Sequence, residues 1–184
     1  PAYPASPFGT LSHTGPITRT VTDAALMLTV IAEPDGRDMA AWNTTPPDFR
    51  IGLEEGVRGL RIAWSPRLGY VQKLDKEVEA TTAAAARAFE ELGAHVEEAD
   101  PGFPDPAEII LTLWQAVSAT VVEAFSAADR AKMDPGFLRV AERGKRYTLT
   151  DYLAAANRRA EYANIMHRFH QRYDLLLTPQ MAIP

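Results

Sequence analysis

The architecture of this chain is set by residues 60–99, which read LRIAWSPRLGYVQKLDKEVEATTAAAARAFEELGAHVEEA. Residues 60–64 are mostly apolar and precede a Ser-Pro dipeptide, a pattern typical of a β-strand and its end. Asp75 can cap the helix that follows, and Gly93 can end it. Residues 95–99 then predict a second strand. A strand, a helix and a strand joined by short links favour a βαβ crossover, in which the two strands are parallel.

The spacing of apolar residues predicts five helices in this chain. Their expected ranges are 21–32, 75–92, 106–127, 137–142 and 148–172. The expected apolar faces are Val78, Thr82, Ala85, Phe89 and Leu92 in the second helix, and Tyr152, Ala156, Ala160, Ala163, Met166 and Phe169 in the last. We expect the third helix, which is mostly apolar, to be largely buried. Residues 174–178 predict a final strand, apolar on both faces and therefore central in its sheet.

The composition is that of a soluble globular protein and argues against several classes of function. Of 184 residues, 46% are hydrophobic and 23% are charged, and the formal net charge is −5. Nucleic acids are bound by basic surfaces, so an acidic chain argues against a nucleic-acid partner. Because the chain has no cysteine, it has no disulfide framework and no thiolate nucleophile. No apolar run is long enough for a membrane span, so we expect a cytoplasmic protein without a membrane partner.

Five serines are the candidates for a nucleophile, at positions 6, 12, 65, 118 and 126. None of them lies in a G-x-S-x-G elbow or a Gly/Ser-rich turn. Ser12 is followed by His13, but neighbouring side chains of an extended chain point in opposite directions and do not readily form a nucleophile–base pair. The sequence therefore predicts no catalytic residue within this chain.

A second pattern, His167, His170 and Asp174, has a spacing with which one helix face can bind a metal ion. Arg168 and Arg172 lie between these residues and would repel a cation. The expected helix also ends before Asp174. A solvated polar face is therefore the favoured interpretation, and no metal site is predicted.

The opening of the chain resembles a segment of a known family. Residues 6–23 read SPFGTLSHTGPITRTVTD, which is similar to a stretch of the amidase signature family a short way after its catalytic residues. Residues 24–28, 35–38, 59–97 and 174–179 are similar to later segments of the family in the same order. The resemblance thus spans nearly the whole chain.

This resemblance implies an α/β/α fold with a large mixed sheet, of which the chain supplies a parallel βαβ unit and long covering helices. The family hydrolyses carboxamides with a Ser–cis-Ser–Lys triad, without a metal or an organic cofactor. The triad lies upstream, and its Gly/Ser-rich motif has no counterpart in residues 1–184. We therefore expect residues 1–184 to form a single incomplete domain, the C-terminal portion of an amidase domain truncated at both ends, which is inactive by itself.

Three residues are candidates for substrate binding in the intact enzyme. Trp114 lies on the long helix that the resemblance places over the site, and Thr178 ends the strand near it. Arg139 lies near the position of an arginine with which amidotransferase relatives hold a substrate carboxylate. The alternatives are a core position for Trp114 and a solvated helix end for Arg139.

The resemblance implies that the intact protein is an amidase acting on the C–N bond of a small amide substrate. Two alternatives stay open. One is the amidase subunit of a glutamyl-tRNA amidotransferase, which would need partner chains. The other is a non-catalytic binding or assembly module that keeps the fold. Exposed sheet edges of an incomplete domain also favour association, so a homo-oligomer is a further expectation.

Overall fold

The computed structural model of this protein describes residue 8, residues 11–38 and residues 40–184. In this part of the chain, six helices and three strands are formed. In chain order they are α1 (Val21–Ile31), β1 (Arg61–Trp64), α2 (Lys76–Glu91), β2 (His95–Glu98), α3 (Ala107–Glu123), α4 (Ala127–Arg130), α5 (Pro135–Gly144), α6 (Leu149–Phe169) and β3 (Leu175–Leu177). None of these helices is long and apolar enough to cross a membrane. Ser6, one of the serines considered above, lies outside the described residues.

The chain divides into two compact units. One consists of Pro1–Gly56 and Val117–Gly144, and the other of Val57–Ala116 and Lys145–Pro184. The second unit contains all three described strands together with α2 and α6. The single incomplete domain expected from the sequence stays a prediction.

The predicted βαβ unit is confirmed. β1 pairs in parallel with β2, with Ile62 opposite Val96, and α2 makes the crossover between them. β1 also pairs in parallel with β3, with Ile62 opposite Leu175, so the strand order is β2-β1-β3. The predicted α/β class is therefore confirmed.

The prediction that the last strand is central is wrong for these three strands, because β1 occupies that place. Ile62 and Ala63 of β1 are almost completely buried, whereas Leu175 of β3 is 45% exposed. The outer edge of β3 has no strand beside it among the described residues. An apolar strand in this position leaves both its faces and one edge only partly covered.

α2 forms where the sequence predicts it, but its buried face is rotated. Ala86 is the buried residue of this helix. Ala85, which the sequence placed on the apolar face, is exposed, and Leu92 is 61% exposed. A run of four alanines at 83–86 is apolar on every side, so hydrophobic spacing does not decide between neighbouring faces.

Both ends of α2 are closed by the side chain and the turn that the sequence predicts. The carboxylate of Asp75 accepts a hydrogen bond from the N–H of Glu77 at 2.8 Å. At the other end, Gly93 donates to the carbonyl of Glu90 at 2.9 Å, and the next N–H donates to the carbonyl of Phe89 at 3.0 Å. This pair of bonds is a Schellman motif, and Gly93 adopts the left-handed backbone that it requires, with φ of +93°.

The Gly93→Ala variant should be destabilised by about 1–2 kcal/mol, because a Cβ at this φ is strained. A Cβ there would also lie 3.3 Å from the side chain of Arg58. Urea unfolding followed by circular dichroism measures the change. Gly36→Ala is the matched control, since Gly36 has open space around it. An unchanged unfolding midpoint for Gly93→Ala would contradict the prediction.

α6 begins with the predicted capping box, in which Thr148 and Asp151 bond each other's backbone. It ends at Phe169 rather than near Arg172, because the chain turns there into β3. The ring of Tyr173 lies beyond this turn and packs against Phe169, with 4.8 Å between ring centroids. Both rings bury Ala63 of the central strand and form the core on this face of the sheet.

The predicted apolar face of α6 is partly wrong. Met166 and Phe169 do pack against the core, but Ala160 and Ala163 are exposed. Tyr162 and Ile165 are half-buried in their place. Alanine side chains bury little apolar area, so the larger residues on the neighbouring face decide how the helix sits.

The segment predicted as one long buried helix is shorter and less buried. α3 ends at Glu123, and α4 begins after Ser126, whose hydroxyl accepts a bond from the N–H of Asp129 at 3.1 Å. One face of α3 is exposed, formed by Ile110, Leu111 and Trp114. A serine that can cap a new helix ends the preceding one more readily than its apolar neighbours suggest.

α5 also differs from the prediction, because it begins at Pro135 instead of Phe137. The carboxylate of Asp134 accepts a hydrogen bond from the N–H of Phe137 at 2.8 Å. The Asp-Pro-Gly segment is therefore a capped helix start with proline at its first position, and not a separate turn.

An ion pair joins the beginnings of β1 and β3. The carboxylate of Asp174 accepts from the guanidinium of Arg61 at 2.8 Å and from the N–H of the same residue at 2.8 Å. These bonds hold the pKa of Asp174 at about 2, with the side-chain bond as the larger cause. The two residues are 113 positions apart in sequence, so this pair exists only in the folded chain.

The Asp174→Asn variant should lose part of the acid dependence of stability. A carboxyl whose pKa is lowered by folding stabilises the native state above its unfolded pKa of about 4, and this stabilisation is lost as the pH falls towards the folded pKa. The urea midpoint of the wild-type chain should therefore fall more steeply between pH 4 and 2 than that of the variant.

Asp48→Asn is the control for this measurement. Its carboxyl pairs with Arg50, only two residues away, and its pKa is likewise lowered to about 2. Such a local pair can also form in the unfolded chain, so the control should change the acid dependence less than Asp174→Asn. Equal slopes for the wild type and Asp174→Asn would contradict the role given to the Arg61 pair.

Candidate functional site

The carboxyl ends of the three strands lie at one edge of the sheet, which we call the carboxyl edge. Parallel strands that share a sheet place the loops that follow them at the same edge, where α/β proteins bind ligands. Here these loops are residues 65–74 after β1 and 99–106 after β2. The segment that follows β3 begins with Thr178. The candidate site is built from these three segments, all within the second unit.

Ser65 connects all three segments at this edge. Its N–H donates to the carbonyl of Leu177 at 2.9 Å, which ties the end of β1 to the end of β3. Its hydroxyl donates to Oδ1 of Asp100, after β2, at 2.5 Å. The same hydroxyl accepts a bond from the N–H of Leu68 at 3.0 Å. Ser65 is 0% exposed, so its hydroxyl supports the loops and is not accessible as a nucleophile.

The loop after β1 has an unusual backbone where Ser65 holds it. Leu68 has a φ of 51°, in the left-handed region that leucine rarely adopts. Gly69 follows with a φ of 78°, and a Cβ on it would lie 3.3 Å from the carboxylate of Asp100. Strained residues of this kind persist only where surrounding bonds determine the conformation, and they are concentrated at functional sites.

An ion pair anchors the same loop to α2. The guanidinium of Arg67 donates to Glu79 at 3.0 Å and to the carbonyl of Gln72 at 3.4 Å. Both charged side chains are half-buried. The loop is therefore held at the sheet by Ser65 and at the crossover helix by Arg67.

Three aromatic rings lie beside this loop. Tyr70 and Phe103 come from the loops after β1 and β2, with 5.9 Å between ring centroids, and Tyr162 of α6 lies 5.3 Å from Phe103. Burial raises the pKa of Tyr70, and the nearby Asp105 raises it further. The hydroxyl of Tyr162 is buried and has no hydrogen-bond partner among the described residues.

The three residues predicted to bind substrate are not assembled by these contacts. Thr178 lies at the carboxyl edge and is half-buried, as expected for the end of β3. Trp114 lies on the exposed face of α3 and is 42% exposed. Arg139 is exposed on α5 and belongs to the other compact unit. The assignment of all three to a substrate pocket stays a prediction.

The candidate metal pattern is not brought together. Asp174 is bound to Arg61, and the ring of His170 lies 3.2 Å from the carbonyl of Tyr173 through Nδ1. Among the residues that the structure describes, no three His, Asp or Glu side chains are arranged to hold a metal ion.

Two clefts in the second unit are lined by charges that neutralise each other. One of about 250 Å³ includes Glu97 and Arg172, which lie 3.8 Å apart. The other, of about 180 Å³ between α3 and α6, includes Glu108 and Arg158, which lie 3.1 Å apart. Neither cleft is lined by a predicted substrate-binding residue.

Comparison with known proteins gives this site its context. A family model described as amidase matches residues 5–184. The chain belongs to the amidase family. An acylamidase of Rhodococcus erythropolis is 33% identical over 180 residues, which cover 97% of this chain and 38% of that protein. One of the subunits of the glutamyl-tRNA(Gln) amidotransferase of Myxococcus xanthus is 46% identical, but over 84 residues, which cover 46% of this chain and 17% of that protein.

A solved amidase shares the fold. The crystal structure of a bacterial aryl acylamidase of the amidase signature family superimposes with a TM-score of 0.79 at 30% identity. The match covers 91% of this chain and 36% of that structure. This chain therefore spans less than two fifths of the length of these amidase relatives.

The sequence contained a signal for the carboxyl edge that periodicity did not use. Ser65 and Asp100 are the first polar residues after two strands predicted to be parallel. Since such strands end at the same edge, their following side chains are expected to lie close together. The aromatic cluster had no comparable signal, because Tyr162 comes from a helix that is distant in sequence.

Tyr162→Phe should leave stability unchanged or raise it by up to about 1 kcal/mol, because a buried hydroxyl without a partner costs free energy. Tyr173→Phe is the matched comparison. That hydroxyl bonds Glu97 and, at 3.1 Å, Arg172, so its removal should lower stability. Urea unfolding measures both variants. A larger loss for Tyr162→Phe than for Tyr173→Phe would show that the Tyr162 hydroxyl is bonded.

Proposed function

We propose that the protein to which this chain belongs is an amidase that hydrolyses small acylamides. The family match across residues 5–184 carries this proposal. The acylamidase relative and the aryl acylamidase structure align with at least nine tenths of the chain, which supports an acylamide as substrate.

The reaction would follow the family's chemistry. A serine outside residues 1–184 would attack the amide carbonyl, and a lysine acting through a second serine would serve as base. Backbone donors would stabilise the oxyanion. No metal or organic cofactor is needed for these steps. This chain would contribute the loops of the carboxyl edge, including Thr178, to the wall of the substrate pocket.

The chain by itself is proposed to be inactive, as a partial amidase domain. Ser65 and Ser118 are fully buried, and Ser126 caps α4. Ser12 is exposed, but its neighbour His13 is adjacent in an extended segment. None of these serines has the nucleophile–base geometry of an acyl-transfer enzyme.

An amidotransferase subunit is the second candidate. Its support is the high identity of the Myxococcus xanthus subunit, but that alignment covers 46% of this chain, against 97% for the acylamidase. The stand-alone amidase is therefore the better supported function. A cytoplasmic location and a homo-oligomeric state stay predictions.

The full-length gene product and the 184-residue chain should be purified and assayed with para-nitroacetanilide, which releases a coloured aniline. We expect turnover by the full-length protein and none by the chain, because the triad serines and lysine lie outside it. Ser12→Ala in the chain is the control for a nucleophile within it. Turnover by the chain that survives Ser12→Ala would contradict its proposed inactivity. A full-length protein active only with glutamine and partner subunits would favour the amidotransferase.

A further inference from the structure

We propose that Ser65 is a positioning residue for the substrate pocket, acting through Thr178. The inference rests on the proposed amidase function. It begins with a bond of the backbone: the Leu177 carbonyl that accepts from the N–H of Ser65 at 2.9 Å belongs to the peptide group that joins Leu177 to Thr178. The orientation of this peptide determines where Thr178 leaves the sheet.

The side chain of Ser65 determines where that N–H points. Its hydroxyl has a donor bond to Asp100 at 2.5 Å and an acceptor bond from Leu68 at 3.0 Å, and the residue is 0% exposed. The second bond holds the left-handed backbone of Leu68. Removing the hydroxyl leaves the Leu68 N–H without this acceptor and allows the strained loop to relax.

A fully buried serine with both bonding roles used has no nucleophilic role, so its expected effect is on substrate binding. In the full-length amidase, Ser65→Ala should raise KM for para-nitroacetanilide about five-fold, the equivalent of one lost hydrogen bond. The value of kcat should change by less than about two-fold, because no reacting group is moved. Asp100→Asn, which keeps an acceptor oxygen, should retain most of the wild-type KM.

A double-mutant cycle with Thr178→Ala separates positioning from general stability. If Ser65 acts through Thr178, then Ser65→Ala should raise KM by less than about two-fold in the Thr178→Ala background. The loss of thermal stability caused by Ser65→Ala should be the same in both backgrounds. Additive effects on KM, or a Thr178→Ala variant with wild-type KM, would overturn the proposal.

Ser126→Ala is the matched control. Its hydroxyl also accepts from an N–H three residues later, at 3.1 Å, and donates to a carboxylate, that of Asp129, at 2.6 Å. This serine lies in the other unit and caps α4, so its loss should leave KM unchanged. A KM raised equally by Ser126→Ala would show that loss of a serine cap anywhere has this effect and would overturn the proposal.

Asp100→Ala provides a second route to the same answer if Ser65→Ala does not fold. Asp100 is exposed, so its truncation removes the hydroxyl's partner without creating a cavity. The KM increase should again disappear in the Thr178→Ala background. A full-length wild-type protein without amidase activity would instead contradict the proposed function, which keeps the two failures distinct.

Discussion

The parallel pairing of β1 on both of its edges is the constraint on which this structure depends. Parallel neighbours cannot be joined by a tight turn, so each requires a long crossover. α2 supplies the crossover to β2, while β3 returns to β1 from the far end of the chain. Because β1 is central, Ile62 and Ala63 are almost completely buried, and the rings of Phe169 and Tyr173 cover Ala63.

Polar side chains hold β1 in register with its neighbours at both ends. At its beginning, Arg61 binds Asp174 through side chain and backbone. At its end, Ser65 binds the carbonyl of Leu177 and the carboxylate of Asp100. The ion pair at the beginning is exposed and contributes mainly geometry, since such pairs are screened by water. The serine at the end is buried, and its bonds determine the shape of a loop.

This difference between the two ends bears on function. In α/β proteins the ligand lies at the carboxyl edge of the strands, where the following loops can vary without disturbing the sheet. In this amidase chain that edge has the buried Ser65, the left-handed Leu68 and the rings of Tyr70, Phe103 and Tyr162. A chain that lacks the nucleophile can thus still contribute the rigid wall against which a substrate is held.

The sequence by itself determined the family, the order of strands and helices, and the ends of α2 and the start of α6, because caps, turns and apolar runs are local signals. It did not determine which faces of those helices are buried, since runs of alanine are apolar in every direction. Nor did it determine that Ser65, Asp100 and Leu177 meet. Their contact depends on parallel strands placing distant segments at one edge, which only the tertiary structure decides.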